Sequence, residues 1–445
     1  HGTKTLTGRD MLDNETFDFT LTPDAATAQA IADGAIVRTG SNYASASEGA
    51  DGAAVSFDFG DATFAKPGTY TFTVQETGWN KDTVPSQETN GLTFDAHICT
   101  VSVTVADDNG VLWAEVAYDN AAEGSSTTEA AFKNVYKASN VEYDSAQLDL
   151  NKVLSGRNWT AEDSFTFDVA KVSFNGQETD EAKAAMPAPT TPVEVKKTDG
   201  KDGEAVPFDF GTLTFTQAGT YVYQVTEQKA TTTENGITYS GNVAEITVTV
   251  TDNVAKGKLE AEAAITSGEE TFINTYTSNM PDDEKAKTDF KLHKVLEGRA
   301  WLDTDEFTFS LVAVDNAPLP KDAQSNNVTQ VTVNAANAEN FSFGEIEFIY
   351  DMVKNEPNRA KTFMYQVAEQ AGSIAGITYS ENVATITITV RDNGAGKLLA
   401  EVAVTEGSST FTNTYESSLD YAAAGGLRIS KVLTGHAMSD EQFSY

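Results

Sequence analysis

The sequence predicts an all-β protein made of tandem Ig-like β-sandwich domains, arranged as beads on a string. Three observations support this fold class. Val, Ile, Thr, Tyr and Phe alternate with polar residues over many short segments, which is typical of strands with one buried face. Turn-forming Gly, Asn and Asp residues separate these segments. The same sequence blocks return at a pitch of about 140 residues, which is long enough for a self-contained domain.

Each repeat opens with a strand that carries one lysine among apolar residues. In the second repeat Leu148, Leu150, Lys152 and Leu154 share one face of a strand, because successive side chains alternate. The equivalent lysines of the other repeats are Lys4, Lys294 and Lys431. An amine on a buried face is unfavourable unless a partner satisfies it. Its recurrence therefore indicates a specific role.

Further blocks follow in the same order in each complete repeat. They are a Phe-x-Phe-Gly motif or its variant, an alternating strand that ends at a glutamate, a second alternating strand, an Asp-Asn turn and a closing Phe-x-Asn-x-Tyr strand. A turn of this type between two alternating strands predicts a β-hairpin. Two short segments, residues 24–32 and 180–185, are predicted to form helical turns inside long loops.

Polar or small connectors between a closing strand and the next opening strand predict the domain boundaries. They divide the chain into residues 1–138, 139–279 and 280–418, followed by the incomplete start of a fourth repeat at 419–445. The first repeat has a shortened opening strand. Because the chain begins inside one repeat and ends inside another, we expect it to be a segment of a longer protein.

Composition argues against several classes of function. The balance of 30 Lys and Arg residues against 66 Asp and Glu gives a formal net charge of −36, which repels nucleic acid and anionic membrane surfaces. No apolar run approaches the ~20 residues of a membrane-spanning helix. The single cysteine, Cys99, leaves no disulfide framework. The histidines do not cluster as zinc ligands do, and no phosphate-binding loop is apparent, so we expect neither metal nor cofactor.

Alternation places two more polar groups on apolar faces. A glutamate faces the core from the middle strand of each complete repeat, and an asparagine does so from the closing strand. The glutamates are Glu76, Glu227 and Glu369, and the asparagines are Asn134, Asn274 and Asn413. Each complete repeat therefore directs one Lys, one Glu and one Asn into its core.

Two interpretations of this triad remain open from the residues alone. In the first, it is a buried Lys–Glu ion pair whose hydrogen bonds are completed by the amide, an arrangement that is close to neutral for stability. In the second, burial favours the neutral amine and the neutral acid. The amine then attacks the Asn side-chain carbonyl, which the protonated carboxyl polarises, and ammonia leaves. The product is a Lys–Asn isopeptide bond, and no turnover follows because the nucleophile is consumed.

The order of the motifs, K-V-L-x-G-R, then Y-x-V-x-E, then F-x-N-x-Y, resembles the pilin-type isopeptide-linkage domains of Gram-positive pili and surface adhesins. The resemblance covers essentially the whole chain. It implies that the opening lysine is joined to the closing asparagine and that the glutamate catalyses the bond. The implied sets are Lys4–Asn134 with Glu76, Lys152–Asn274 with Glu227, and Lys294–Asn413 with Glu369. Lys431 has no downstream partner and is expected to remain a free amine, in a repeat that has Gly435-His436 where the others have Gly-Arg.

Several other residues are expected to have structural roles. The arginines after the opening strands are predicted to form surface ion pairs at a turn, and two tryptophans are predicted to pack in cores. Cys99 aligns with alanines of the other repeats and is predicted to be a small core residue. The arginines are Arg9, Arg157 and Arg299, and the tryptophans are Trp159 and Trp301. The alanines that align with Cys99 are Ala244 and Ala384.

Three functional hypotheses follow. The favoured one is a structural stalk segment of an extracellular, cell-wall-attached adhesin or pilus, whose partners are the neighbouring repeats. The second is a ligand-binding adhesin module that recognises a host protein or glycan through its long loops, residues 177–201 and 313–341. The loops differ in sequence between repeats, which suits tolerated insertions better than copies of one site. The third, a turnover enzyme such as a glycosidase, rests only on abundant carboxylates.

Overall fold

A computed structural model describes residues 1–80, 90–120, 128–421, 423–426, 428–430, 432 and 434–435. The chain folds into three β-sandwich domains, which follow one another in sequence and are called domains 1, 2 and 3. The predicted all-β class is confirmed. Buried residues alternate with less buried ones along the strands, as in the segment Gly219–Glu227, because each sheet buries one face against the other.

Domain 1 packs a four-stranded sheet, in the order β5-β1-β11-β8, on a five-stranded sheet, in the order β10-β9-β7-β2-β4. A small β3-β6 pair lies beside them. The elements are β1 Gly2–Thr7, β2 Thr16–Pro23, α1 Ala25–Ala32, β3 Ile36–Arg38, β4 Tyr43–Ser47, β5 Ala54–Phe57, β6 Ala62–Phe64, β7 Gly68–Trp79, β8 Leu92–Thr93, β9 Ile98–Asp108, β10 Val111–Asn120 and β11 Ala130–Tyr136.

Domain 2 has sheets in the orders β16-β13-β23-β20-β19 and β15-β14-β18-β21-β22, with a β12-β17 pair beside them. Its elements are β12 Val141–Asp144, a 3₁₀ turn Ser145–Leu148, β13 Asn151–Ser155, β14 Ser164–Phe174, α2 Asp180–Ala185, β15 Val193–Lys196, β16 Ala205–Pro207, β17 Thr212–Phe215, β18 Gly219–Glu227, β19 Thr233–Glu234, β20 Ile237–Thr238, β21 Val243–Asn253, β22 Lys258–Ser267 and β23 Thr271–Tyr276.

Domain 3 has sheets in the orders β24-β31-β28 and β26-β25-β27-β29-β30. Its elements are α3 Asp282–Lys287, β24 His293–Glu297, β25 Phe307–Ala313, β26 Gln330–Val333, 3₁₀ turns Tyr350–Met352 and Pro357–Arg359, β27 Ala360–Glu369, β28 Ile377–Thr378, β29 Val383–Asp392, β30 Leu398–Glu406 and β31 Thr410–Tyr415.

The first and last strands of each domain are neighbours in one sheet. They run parallel, in the pairs β1–β11, β13–β23 and β24–β31. Most other pairs are antiparallel, so this parallel pair is set apart within its sheet. It brings the entry and the exit of each domain to adjacent positions.

The helical turns expected in the long loops are confirmed as α1 and α2. Asp24 caps α1 by accepting a hydrogen bond from the Thr27 amide, and Thr179 caps α2 in the same way through the Ala182 amide. The two long loops proposed for ligand binding fold differently from each other. Residues 177–201 include α2 and β15, whereas residues 313–341 include only β26.

Two local predictions are corrected. The opening strand of domain 2 was expected to include Leu148, but it begins at Asn151, because Asp149 adopts a left-handed conformation (φ 52°) after the 3₁₀ turn. The arginine ion pairs, expected at the surface, are largely withdrawn from solvent. Arg157 is 7% exposed and makes two bonds of 2.7 and 2.8 Å to the Asp163 carboxylate.

The remaining packing predictions are confirmed. Cys99 is fully buried among the apolar residues of domain 1. Trp159 is buried with its ring edge against Phe165, and Trp301 packs in the same way against Phe307. Trp159 is part of the core and Trp301, which is partly buried, packs against it.

Adjacent domains meet at two joints of the same design. At the first joint the β21–β22 hairpin of domain 2 lies on the end of domain 1, where the Tyr136 hydroxyl donates to the Asp252 carboxylate at 2.8 Å. In the connector that follows the closing strand of domain 1, the Ser139 amide donates to the Gly257 carbonyl at 2.9 Å. Gly257 has a positive φ of 66°, and a Cβ there would lie 2.1 Å from the Asn90 carbonyl carbon. Only glycine fits so close an approach.

The second joint repeats these contacts and adds others. Asp392 is 6% exposed and accepts hydrogen bonds from Tyr276, Ser278 and Arg359, at 2.7, 2.6 and 2.6 Å. Although burial opposes ionisation, the hydrogen bonds from Ser278 and Tyr276 hold the pKa of Asp392 below its ordinary value. Tyr350 of domain 3 also donates to the Gly156 carbonyl of domain 2 at 2.8 Å. Within the described ranges, the second joint therefore has more hydrogen bonds than the first.

Removing the Asp392 carboxylate is expected to loosen the second joint. In Asp392→Ala, Tyr276, Ser278 and Arg359 lose their shared acceptor, and unpaired buried polar groups destabilise the contact by about 1–3 kcal/mol. Small-angle X-ray scattering should then show a broader distribution of molecular dimensions than in the unchanged chain.

Asp107→Ala is the matched control, because Asp107 is at the equivalent hairpin position of domain 1 and contacts no preceding domain in the described structure. This variant should scatter like the unchanged chain. Identical scattering from Asp392→Ala and Asp107→Ala would show that the carboxylate does not hold the joint.

Candidate functional site

The parallel pair of first and last strands places the lysine beside the asparagine. In domain 2 Lys152 is opposite Phe272, and Asn274 is opposite Leu154. Lys152 and Asn274 therefore lie on the same face of one sheet as diagonal neighbours. The registers are equivalent in the other domains, with Lys4 opposite Phe132 and Lys294 opposite Phe411.

The glutamate comes from the facing sheet. Glu227 is the last residue of β18 and pairs with Phe167 of β14. The alternation Tyr223, Val225, Glu227 directs its side chain into the interior, between the two sheets. Glu76 and Glu369 occupy the same positions, opposite Phe19 and Phe309.

One carboxylate bridges the amine and the amide in every domain. In domain 2 Lys152 Nζ donates to Glu227 Oε2 at 2.9 Å, and Asn274 Nδ2 donates to Glu227 Oε1 at 2.7 Å. The triads of domains 1 and 3 have the same two bonds. They are Lys4–Glu76 at 2.8 Å, Asn134–Glu76 at 2.8 Å, Lys294–Glu369 at 2.9 Å and Asn413–Glu369 at 2.7 Å. All three predicted sets are thus brought together.

A backbone amide contacts the asparagine carbonyl, and sequence reasoning missed it. The Ser240 amide donates to Asn274 Oδ1 at 2.7 Å, while the Glu227 carboxylate faces the amide nitrogen. The glutamate was expected to polarise the carbonyl, so this assignment is corrected: the backbone donor does so. Asp95 and Ser380 supply the same donor in domains 1 and 3, each at 2.8 Å. A Thr-(Tyr/Phe)-(Ser/Asp) block precedes β9, β21 and β29. This repeated block was the signal in the sequence that could have revealed the donor.

Aromatic rings enclose the triads and exclude water. The Lys152 ammonium lies 4.8 Å from the centre of the Phe165 ring, and the side chains of Lys152 and Glu227 are both fully buried. The equivalent rings are Phe17 at 4.9 Å in domain 1 and Phe307 at 4.7 Å in domain 3. The attraction between an ammonium and such a ring is small compared with the free energy that the ammonium loses when it leaves water.

Burial therefore shifts both titrating groups toward their neutral forms. It lowers the pKa of Lys4 and of Lys152 from an ordinary 10.5 to about 8, and it lowers the pKa of Lys294. Burial also raises the pKa of Glu76 and Glu227, against the opposing attraction of the paired lysine. These are the directions that a nucleophilic amine and a proton-donating acid require at neutral pH.

Domain 1 differs from the others beside its triad. Asp95 replaces the serine of domains 2 and 3, and its carboxylate accepts from the Lys133 amide at 2.8 Å and contacts His97 Nδ1 at 2.6 Å. The His97 ring stacks on Phe132 with a centroid separation of 4.6 Å. His97 is thus a packing residue paired with Asp95.

The remaining predicted residue, Lys431, lies outside the described residues. In the described ranges no group of three or more His, Cys, Asp and Glu side chains is arranged to hold a metal ion. None of the helices in those ranges combines the length and the apolarity needed to span a membrane.

The arrangement supports one kind of chemistry. It places a buried amine and a side-chain amide on one carboxyl group, with a backbone donor on the amide oxygen. An amine that attacks the amide carbon develops negative charge on that oxygen, where the backbone N–H stabilises it. The carboxyl group is hydrogen-bonded to both nitrogens, which is the position that proton transfer between them requires.

Comparison with known proteins identifies the family. The model of the FctA family, described as a Spy0128-like isopeptide containing domain, matches residues 1–137, 148–277 and 290–416. A comparison with curated proteins found no match. Solved structures that are similar include the major pilin from Streptococcus pyogenes, at 18% identity over 62% of this chain and 97% of that chain, with a TM-score of 0.24.

The major pilin protein (T-13) from Streptococcus pyogenes is also similar, at 16% identity over 62% of this chain and 95% of that chain, with a TM-score of 0.22. The family assignment rests on the family model, which matches most of the chain in three tandem copies. The resemblance read from the three motifs is therefore confirmed. The chain belongs to the family of Spy0128-like isopeptide-containing domains.

Proposed function

We propose that the chain is a stalk segment of an extracellular pilus or cell-wall-attached adhesin, in which each domain closes itself with a Lys–Asn isopeptide bond. One observation carries the proposal. In all three domains a single buried glutamate is hydrogen-bonded through one oxygen to the lysine and through the other to the asparagine, as in Lys152–Glu227–Asn274. Membership of the family supports it.

The proposed step is an amide exchange. The neutral Lys152 amine attacks Asn274 Cγ, and the Ser240 amide stabilises the oxyanion that forms. Protonated Glu227 takes a proton from the attacking nitrogen and gives one to the leaving nitrogen. A C–N bond to Lys152 forms, the C–N bond to Asn274 Nδ2 breaks, and ammonia leaves. Glu227 returns to its starting state, and no other reactant is required.

The mechanical consequence follows from the positions of the linked strands. Because β13 and β23 are neighbours, a bond between Lys152 and Asn274 joins the entry of domain 2 to its exit. Tension along the polypeptide then passes through covalent bonds and bypasses most hydrogen bonds of the domain. Closing a loop of about 120 residues also stabilises the fold by roughly 5 kcal/mol, by analogy with disulfides.

The domain boundaries are part of the proposal. We assign residues 1–138, 139–279 and 280–418 to three such units and residues 419–445 to the start of a fourth. In that assignment Lys431 takes the position of the opening lysine in the fourth unit. The neighbouring repeats are the partners of each unit, through contacts such as Tyr136–Asp252 and Tyr276–Asp392.

Intact mass of the denatured chain tests bond formation in all domains at once. Each bond releases one ammonia, about 17 Da, so three bonds lower the mass by about 51 Da relative to the mass calculated from the sequence. Electrospray mass spectrometry measures this difference directly. The sequence mass with no deficit would mean that the triads are only buried polar networks.

Glu227→Gln is the decisive variant, because glutamine keeps the size of the side chain and removes its acid function. The mass deficit should fall to about 34 Da, with the loss assigned to domain 2 by peptide mapping. Glu234→Gln, at an exposed position of the same domain, is the matched control and should retain the full deficit. A full deficit in Glu227→Gln would exclude the catalytic role of Glu227.

The lowered pKa of Lys152 predicts a pH dependence in a chain that cannot form the bond. We expect Asn274→Ala to retain the lowered folded pKa of Lys152, which is about 8 in the unchanged chain against an ordinary value of 10.5. Between these values the unfolded state binds more protons, so the free energy of unfolding of domain 2 rises with pH, by up to about 3 kcal/mol. Calorimetry at pH 7.5 to 10.5 should show the unfolding transition of domain 2 moving to higher temperature as the pH rises.

The double variant Lys152→Met/Asn274→Ala supplies the control, since it lacks the titrating amine. Its domain 2 transition should lack the rise between pH 8 and 10.5. Parallel pH profiles for the single and double variants would contradict the lowered pKa of Lys152.

A further inference from the structure

The end of domain 3 at its closing tyrosine is built in the same way as the two domain ends that hold a neighbouring hairpin. Each end has a turn glycine with a φ of 79–81°. The amide that follows the closing tyrosine donates to the carbonyl of this glycine, and an arginine stacks on the tyrosine ring. The sets are Gly91, Tyr136 and Arg9; Gly236, Tyr276 and Arg157; and Gly376, Tyr415 and Arg299.

In domains 1 and 2 the hairpin of the next domain packs on these residues. A Cβ on Gly396 would lie 2.6 Å from the Gly236 Cα, so the two glycines are packed backbone to backbone. The Tyr276 hydroxyl donates to Asp392 and accepts from the Gly396 amide. As a result Tyr136 and Tyr276 are only 4% and 2% exposed.

At the end of domain 3 the same groups have no partner domain in the described structure. Tyr415 is only partly buried, and within the described residues its hydroxyl makes no hydrogen bond. The three atoms nearest to a Cβ placed on Gly376 belong to Tyr415 and Glu416 of its own domain. Ser417 and Ser418, at the positions of Ser278 and Asn279 in the second joint, are exposed.

We propose that this surface, formed by Arg299, Gly376, Tyr415 and Ser418 and here called the domain 3 end, is a docking site for the β-hairpin of a further repeat. An aspartate of that hairpin accepts from the Tyr415 hydroxyl. A glycine of the hairpin lies on Gly376, and its carbonyl accepts from the Ser418 amide. The partner is thus recognised by an Asp-Asn turn followed by Gly-Lys or a close variant.

Spacing in the sequence identifies the occupant. The opening motif at Lys431 follows Tyr415 by 16 residues, the same spacing as from Tyr136 to Lys152. In both joints the aspartate lies 116 residues after the tyrosine that it binds. The hairpin of a repeat that opens at Lys431 would therefore carry its aspartate about 116 residues after Tyr415.

A second copy of this chain is a poorer fit. Its exposed hairpin is that of domain 1, which has Asp107 and Gly110 three positions apart. The docked hairpins separate the equivalent residues by five positions, from Asp252 to Gly257, and by four, from Asp392 to Gly396. A shorter hairpin does not present the carboxylate and the glycine at the same distance.

An extended chain tests the proposal. Residues 1–418 are followed by a second copy of residues 280–418, so that a domain 3 hairpin is available to the domain 3 end. Amide hydrogen exchange is measured at residues 376–378 and 416–418 in this chain and in the 445-residue chain. We expect exchange to slow by at least about tenfold in the extended chain.

Two variants of the added copy make the result specific. Asp392→Ala and Gly396→Val, each placed only in the added copy, should return exchange at residues 376–378 and 416–418 to the rates of the 445-residue chain. Unchanged exchange in the extended chain, with the added copy shown to be folded by its own protected core amides, would overturn the proposal. The ammonia loss of each domain is measured in the same samples and is independent of docking.

Exchange measurements on the 445-residue chain test the alternative occupant, which is a second copy of the chain. Exchange at the domain 3 end should be the same at low and at high protein concentration. Concentration-dependent protection that Asp107→Ala abolishes would assign the site to a second copy and would overturn the assignment to a following repeat.

Discussion

The parallel pairing of the first and last strands is the constraint on which the rest of each domain depends. It puts a lysine and an asparagine on one buried face, where neither is tolerated alone. The glutamate from the facing sheet satisfies both, as Glu227 does for Lys152 and Asn274. A buried pair of this kind adds little stability when compared with apolar packing. The proposed reaction, which converts the pair into a covalent bond, gives a reason for its presence in all three domains.

The closing tyrosine connects this interior to the outside of the domain. Tyr276 lies two residues after Asn274, its ring is under Arg157, and its hydroxyl bonds to Asp392 of the next domain. Force that enters domain 2 from domain 3 therefore arrives at the strand that carries the proposed cross-link. In this account the joints and the covalent bonds form one continuous path, and the outer strands of each sandwich are not part of it.

Much of this was readable from the sequence, and what was missed has physical reasons. Strict alternation around Lys152, Glu227 and Asn274 predicted which residues meet, because a strand leaves only two faces to choose from. The Ser240 donor was missed because it is a backbone group, which no residue type specifies. The burial of Arg157 was missed because it depends on the Tyr276 ring, more than 100 residues away in the chain. The joint between Tyr276 and Asp392 depends on how whole domains pack, which local periodicity does not determine.

Single-molecule stretching of the chain between its ends tests the central claim most directly. If each lysine is bonded to its asparagine, pulling cannot extend the residues between them. The account predicts that the unfolding steps expected of three unlinked domains are absent. Without the bonds, each domain would release about 120 residues, an increase in contour length of about 400 Å per step. Three such steps would contradict the claim that the domains carry tension through covalent cross-links.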